Sequence, residues 1–226
     1  RQRAERWMAA NFDDRGMLAL NETLRLELTG ELDVAAFEAA AREVFGRHDA
    51  FRLAFDAEQP RQWVEPAATL QLERIDLDRR PDLLGALESL CDEVASTRFE
   101  LDRAPLARAV LIKVRPGHHV FMLVVSHLIF DGWSSSVLVR ELGQAYRARL
   151  QHHDSGLPPA DSPVAFAIAE RERFDGAAGR ADLHWWREVL ADGPAAPRLG
   201  DIEPGGDRGF ACATLRHEFD RATLET

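Results

Sequence analysis

The residue with most chemical promise is a histidine at the end of an apolar run. Residues 120–125 are all apolar, and Ser126 and His127 follow them. Such a run reads as a buried strand. His127 then stands where that strand leaves a sheet, a usual place for a reactive group on a rigid support. Imidazole is the side chain that ordinarily changes charge near neutral pH, so it suits proton transfer or the holding of a charged intermediate. Four residues later Asp131-Gly132 offers a tight turn into a helix. A Ser126–His127 nucleophile–base pair is disfavoured, because adjacent strand residues point to opposite faces. His118-His119 and His152-His153 could suggest a metal. Each pair lies in or beside a polar loop without a third ligand at usable spacing, so solvated loop histidines and no metal are expected.

The elements that must position His127 follow from periodicity. Residues 23–29 alternate apolar and polar, as a half-buried strand does. Asp33 can cap a helix to about Phe45, with Val34, Phe37, Ala41 and Val44 or Phe45 on one face. Residues 51–55, 62–65 and 70–77 are further strand candidates. Pro81 sits at a helix start, followed by the stripe Leu83, Leu84, Leu87, Leu90, Val94. Residues 106–114 and 120–126 read as a hairpin around Pro116-Gly117. Ser134 is expected to cap a helix to about Leu150, and two more helices are expected around 164–174 and 181–190. Trp185-Trp186 are expected to pack the last of these against the sheet, and Glu170–Glu172 to be a solvated face. Residues 191–209 hold five glycines and three prolines and read as a linker. Residues 210–219 read as one more strand. The mixture of strands, helices and a hairpin predicts an α/β sandwich.

Composition sets outer bounds. The chain has 226 residues, 46% of them hydrophobic, enough for a substantial core. A net charge of -10 gives no basic footprint for nucleic acid. No run of 18 apolar residues marks a membrane span, and the arginine-rich start lacks a signal peptide's apolar core. Cys91 and Cys212 are too few for a disulfide framework. A cytoplasmic address is the expectation.

Four ordered segments carry a family resemblance. Ser126-His127-Leu128-Ile129-Phe130-Asp131-Gly132 resembles the HHxxxDG signature of condensation domains and of the wider chloramphenicol-acetyltransferase-like acyltransferases, with Ser126 in place of the first histidine. Arg47-His48-Asp49-Ala50-Phe51-Arg52-Leu53-Ala54-Phe55 is similar to their RHExLRTxF segment, with Asp for Glu and Leu-Ala where Thr usually follows Arg. Residues 99–108 resemble FdLxxgPLxR, and residues 184–190 resemble the YWxxxL stretch that leads out of the first lobe. Residues 1–8 resemble the tail of the family's first motif, without its usual Ser and Gln-Arg elements. A heterocyclisation variant, DxxxxDxxS, is matched only at Asp131 and Ser134.

The resemblance implies one lobe of a two-lobed domain of chloramphenicol-acetyltransferase-like fold, a two-layer sandwich of mixed sheet and helices. It implies an N-terminal lobe over residues 1–190, a crossover over 191–209 and the start of a truncated C-terminal lobe over 210–226. The implied function belongs to nonribosomal peptide synthetases, which make peptide secondary metabolites of the antibiotic or siderophore kind. It is amide-bond formation between a donor acyl thioester and an acceptor aminoacyl thioester. Both arrive on the 4'-phosphopantetheine arms of peptidyl-carrier proteins, with no bound cofactor. His127 would be catalytic, as base or as a positioning group. Asp131 would fix the loop by pairing with Arg47 or Arg52, and Ser126 would stand at a supporting position. Gly132, Trp133 and Ser134 would line the substrate channel, with Gly132 admitting the donor thioester. The isolated lobe is expected to be inactive or weak. A different class stays open: a non-catalytic condensation-like domain that docks a carrier protein or a tailoring enzyme. A free-standing acyl-CoA acetyltransferase is a third reading and would form a trimer.

Overall fold

The computed structural model describes residues 18–56, 61–191 and 193. The expected strand at 210–219, most of the 191–209 linker and the segment 1–8 lie outside these residues. The elements run in the order β1 (Asn21–Thr29), α1 (Val34–Arg47), a short 3-10 turn (Asp49–Arg52), β2 (Leu53–Phe55), β3 (Gln62–Val64) and β4 (Leu72–Asp76). Then follow α2 (Leu83–Ala95), β5 (Ala107–Arg115), β6 (His118–Ser126), α3 (Gly132–Leu150), α4 (Pro163–Asp175) and α5 (Ala177–Leu190).

Four strands make the main sheet in the order β1-β6-β5-β4. β6 pairs antiparallel with β1 and with β5, and β4 runs parallel to β5, so the sheet is mixed as expected. β2 and β3 form a separate antiparallel pair. Gly117 turns the β5–β6 hairpin with φ 72, a left-handed conformation that glycine adopts without strain.

The central strands are apolar on both sides because both sides are covered. Ala109 and Leu111 of β5 and Phe121, Leu123 and Val125 of β6 meet Phe37, Ala41 and Val44 of α1 and Leu138, Leu142 and Ala145 of α3. On the opposite face Val110, Ile112, Val120, Met122 and Val124 meet Leu87, Cys91 and Val94 of α2. Near-continuous burial explains why β5 and β6 read as apolar runs, whereas β1, at the sheet edge among the described residues, alternates. A smaller cluster of Leu53, Phe55, Leu106 and Leu128 packs beneath the turn that follows β6.

Helix starts obey local capping chemistry. Asp33, Asp82 and Ser162 each accept a hydrogen bond from the backbone N–H three residues on, and open α1, α2 and α4. Pro81 therefore precedes the cap of α2 rather than opening the helix. Among the described residues no helix is long and apolar enough to cross a membrane.

Two sequence expectations are corrected here. Trp185 and Trp186 do not pack against the sheet. They are 54% and 52% exposed and meet each other edge to face, with centroids 4.7 Å apart. The reason is that α4 and α5 pair as a hairpin while Phe166, Ile168, Phe174, Leu183 and Val189 also face outward. The histidine pair at 118–119 is not a solvated loop. Both residues lie on β6, where His118 Nε2 meets Glu27 Oε2 at 2.6 Å and His119 is buried.

Candidate active site

β6 is held in place to its last residue. Ser126 N–H donates to the Leu106 carbonyl at 2.9 Å, and one step further His127 N–H donates to the Leu20 carbonyl at 2.7 Å. The backbone of His127 is thus fixed by the segment leading into β1, although its side chain is past the strand end. Ile129 N–H then returns to the Ser126 carbonyl at 3.0 Å and closes a turn. Phe130 ends that turn with its ring buried in the core, facing Phe51 at a centroid distance of 6.4 Å. Its carbonyl is left pointing at the histidine.

The imidazole of His127 is 31% exposed. Its Nδ1 lies 2.9 Å from the Phe130 carbonyl and 3.0 Å from Glu22 Oε1. Neither a carbonyl nor a carboxylate can donate, so Nδ1 carries the proton and the neutral ring has its lone pair on Nε2. That tautomer is the one in which Nε2 can accept a proton. Neither partner was read as a site residue from the sequence. Phe130 acts through its backbone, which side-chain identity does not advertise. Glu22 becomes visible only through the strand register.

The two motif serines do different things. Ser126 is buried and its Oγ lies 3.4 Å from the Leu128 N–H, inside the turn. Beside it lies a cavity of about 90 Å³ lined by Asn21, Thr97, Phe99 and Leu101, among others. Serine thus leaves open volume on the side of the strand facing away from His127. Ser134 donates its hydroxyl to Asp131 Oδ1 at 2.8 Å, and its N–H donates to the same oxygen at 2.9 Å. Asp131, in extended backbone geometry, is therefore the N-cap of α3, the role expected of Ser134.

The expected ion pair between Asp131 and Arg47 or Arg52 is also corrected. Arg47, the last residue of α1, gives its guanidinium to Glu141 of α3 and to the Pro158 carbonyl. Arg52 pairs with Asp49, one turn back in the 3-10 segment. Asp131 turns its Oδ1 into the first turn of its own helix instead. Glu141 also meets His48 Nε2 at 2.7 Å. Burial pushes the Glu141 carboxyl up, but the hydrogen bonds and charges of Arg47 and His48 outweigh it and hold the group below its ordinary value. The Arg-His pair of the second motif thus ties α1 to α3 and to the following loop.

Gly132 and Trp133 form the exposed lip of the site. A side chain at Gly132 would meet nothing within 4 Å among the described residues. Trp133 is 82% exposed beside it. Among the described residues no group of three His, Cys, Asp or Glu side chains could hold a metal ion.

The chain is an α/β lobe built on a mixed sheet, with a partly exposed histidine at the end of a central strand, and comparison with known proteins places it in a family. The family model "Condensation domain" matches residues 2–226. Chondramide synthase cmdD of Chondromyces crocatus is 33% identical over 193 residues, which cover 82% of this chain and 5% of that protein. Cyclosporin synthetase simA of Tolypocladium inflatum is 35% identical over 188 residues, 80% of this chain and 1% of that protein. The starter condensation domain of rhizomide synthetase RzmA, in a mutant form complexed with C8-CoA, superposes with a TM-score of 0.79 at 19% identity, covering 89% of this chain and 47% of that one. The X-domain in complex with OxyB from teicoplanin biosynthesis gives a TM-score of 0.71 at 28% identity, covering 89% of this chain and 45% of that one.

This chain belongs to the condensation-domain family of nonribosomal peptide synthetases. It spans a few per cent of those curated relatives and just under half of each solved neighbour. Its fold is the chloramphenicol-acetyltransferase-like α/β arrangement expected from the sequence.

Proposed function

We propose that the chain is the N-terminal half of a condensation domain that joins a donor acyl thioester to an acceptor aminoacyl thioester, both delivered on the phosphopantetheine arms of carrier proteins. The observation that carries this reading is the tautomer of His127, with Nδ1–H held by the Phe130 carbonyl and the Glu22 carboxylate 3.0 Å from the same nitrogen. A thioester is already activated, so the protein's task is placement and proton management. The acceptor amine nitrogen attacks the thioester carbon, and His127 Nε2 takes the proton that the nitrogen must lose. The C–S bond then breaks and the departing thiolate receives a proton, leaving an amide and a free phosphopantetheine thiol. Gly132, Trp133 and Ser134 would border the path of the donor, and the open space at Gly132 suits close passage of a thioester. The second half of the domain would close the other side of the site.

A second reading has an observation of its own. The likeness to the OxyB-bound X-domain, together with Ser126 at the first histidine of the signature, suits a domain that docks a partner without turnover. A single-turnover assay of the complete domain with carrier-loaded donor and acceptor separates the two. Amide product that disappears in His127→Ala supports condensation. Carrier or tailoring-enzyme binding with no product from the wild type selects the docking role.

A further inference from the structure

We propose that Glu22 is a positioning residue that acts on the substrates through His127, an inference that rests on the condensation reading above. The register of β1 against β6 produces the contact. Asn21 faces Ser126 and Glu22 faces Val125 across the ladder. Val125 and His127 are two residues apart and so share a face. Glu22 and His127 are therefore diagonal neighbours on that face, within reach of a long side chain. Asn21 points the other way, where its amide donates to the Ala95 and Thr97 carbonyls at 3.0 and 2.8 Å and pins β1 to the end of α2. The carbonyl of Leu20, accepting from His127 N–H, fixes the same alignment one residue earlier. Glu22 is thus set opposite the ring by three consecutive residues of the segment that holds the histidine's backbone.

The two oxygens beside Nδ1 are not equivalent. The Phe130 carbonyl is neutral and rigid, being backbone of a turn whose side chain is buried. It can fix the tautomer but adds no charge. Glu22 brings a carboxylate 3.0 Å from the same nitrogen. When Nε2 takes the proton from the attacking amine the ring becomes a cation, and the carboxylate lies closest to where that charge is shared. Glu22 thereby favours the protonated ring of the transition state over the neutral ring of the resting state, which is differential stabilisation. The pair is partly exposed, at 31% and 42%, so water weakens it and a modest effect is expected.

The test uses the complete domain, with carrier-loaded donor and varied acceptor in single turnover. Glu22→Gln keeps an oxygen acceptor of the same length and removes only the charge. It should lower the saturating rate roughly 1.5- to 5-fold, with the half-saturating acceptor concentration and the melting temperature unchanged. Glu22→Asp, which restores the charge, should recover part of the loss. In a His127→Ala background the Glu22→Gln change should have no further effect, because the group it acts through is gone. A wild-type rate for Glu22→Gln beside an inactive His127→Ala would overturn the role of Glu22 and leave the condensation reading standing. The same loss from Glu22→Gln in the His127→Ala background would also overturn it, since Glu22 would then act elsewhere. Full activity in His127→Ala itself would remove the condensation reading and this inference together.

Discussion

His119 near the start of strand β6 and His127 one residue past its end have opposite surroundings. At the start, His119 is 7% exposed and its Nδ1 has no hydrogen-bond partner among the described residues. Burial, aided by the nearby Lys113 and His118 charges and opposed by Asp76, pushes its pKa below the ordinary value. Just past the far end, His127 keeps about a third of its side chain exposed, with the Phe130 carbonyl 2.9 Å and the Glu22 carboxylate 3.0 Å from Nδ1. The same side chain is therefore buried without a partner for Nδ1 near one end of the strand, and partly exposed with its Nδ1 held just past the other. What separates them is an open side and a fixed tautomer, not the histidine itself. A third histidine, His48, sharpens the point: its contact with Glu141 belongs to a cluster that locks α1 to α3. A glutamate beside a histidine does not define a reactive site unless the ring also opens to substrate.

The largest expected difference is in activity. His127→Ala in the complete domain should lower the condensation rate roughly 10²- to 10³-fold and leave the melting temperature in place, as measured by single turnover beside thermal unfolding. A drop in melting temperature comparable with the loss of rate would make His127 structural as well.

The Glu141 cluster should show the reverse pattern, loss of stability rather than of chemistry. Glu141→Ala strands Arg47 in a largely buried site, which costs about 3–5 kcal/mol, read from urea unfolding. Its folded carboxyl lies below the ordinary 4.5, so its stabilisation is fully present above that value. It is lost as pH falls through the lower folded value, because the unfolded chain then binds the proton first. The gap between wild type and Glu141→Ala should accordingly narrow in acid.

A smaller effect is expected at the cap of α3. Asp131→Ala should cost about 0.5–2 kcal/mol, while Asp131→Ser, which retains a capping oxygen, should recover most of it in thermal unfolding. Failure of Ser to rescue would show that the carboxylate charge of Asp131, rather than its capping, supports the turn.

The smallest change is at His119. Because its pKa is depressed, its neutral form is the one that folds. Stability is whole above the ordinary 6.5 and is lost as pH falls through the lower folded value. His119→Leu removes that loss, so the variant should gain stability over wild type as pH falls below the ordinary 6.5. Activity should stay at the wild-type level. Equal pH dependence in both proteins would mean that folding does not shift the proton affinity of His119.

Much of this arrangement was legible in the sequence because its causes are local. The run at 120–126, the Pro116-Gly117 hairpin and the stripes of α1, α2 and α3 each declare themselves within one element. His127 was legible for the same reason. Glu22 was not, since it meets the ring only through the pairing of strands about a hundred residues apart. Arg47 and Glu141 are likewise 94 positions apart, and only the packing of α1 on α3 shows that this carboxylate, rather than Asp131, takes the guanidinium. The capping by Asp131 did have a local signal: an acidic residue three before Ser134 at a helix start. The resemblance drew attention to a long-range partner instead. Trp185-Trp186 misled because an amphipathic helix announces that a face will be covered without saying by what.

The most direct measurement compares wild type, His127→Ala and His119→Leu of the complete domain in one single-turnover condensation assay. The account expects product from wild type and His119→Leu at equal rates, and a loss of roughly two orders of magnitude or more in His127→Ala. Equal rates in all three would contradict it, placing the chemistry away from the end of β6.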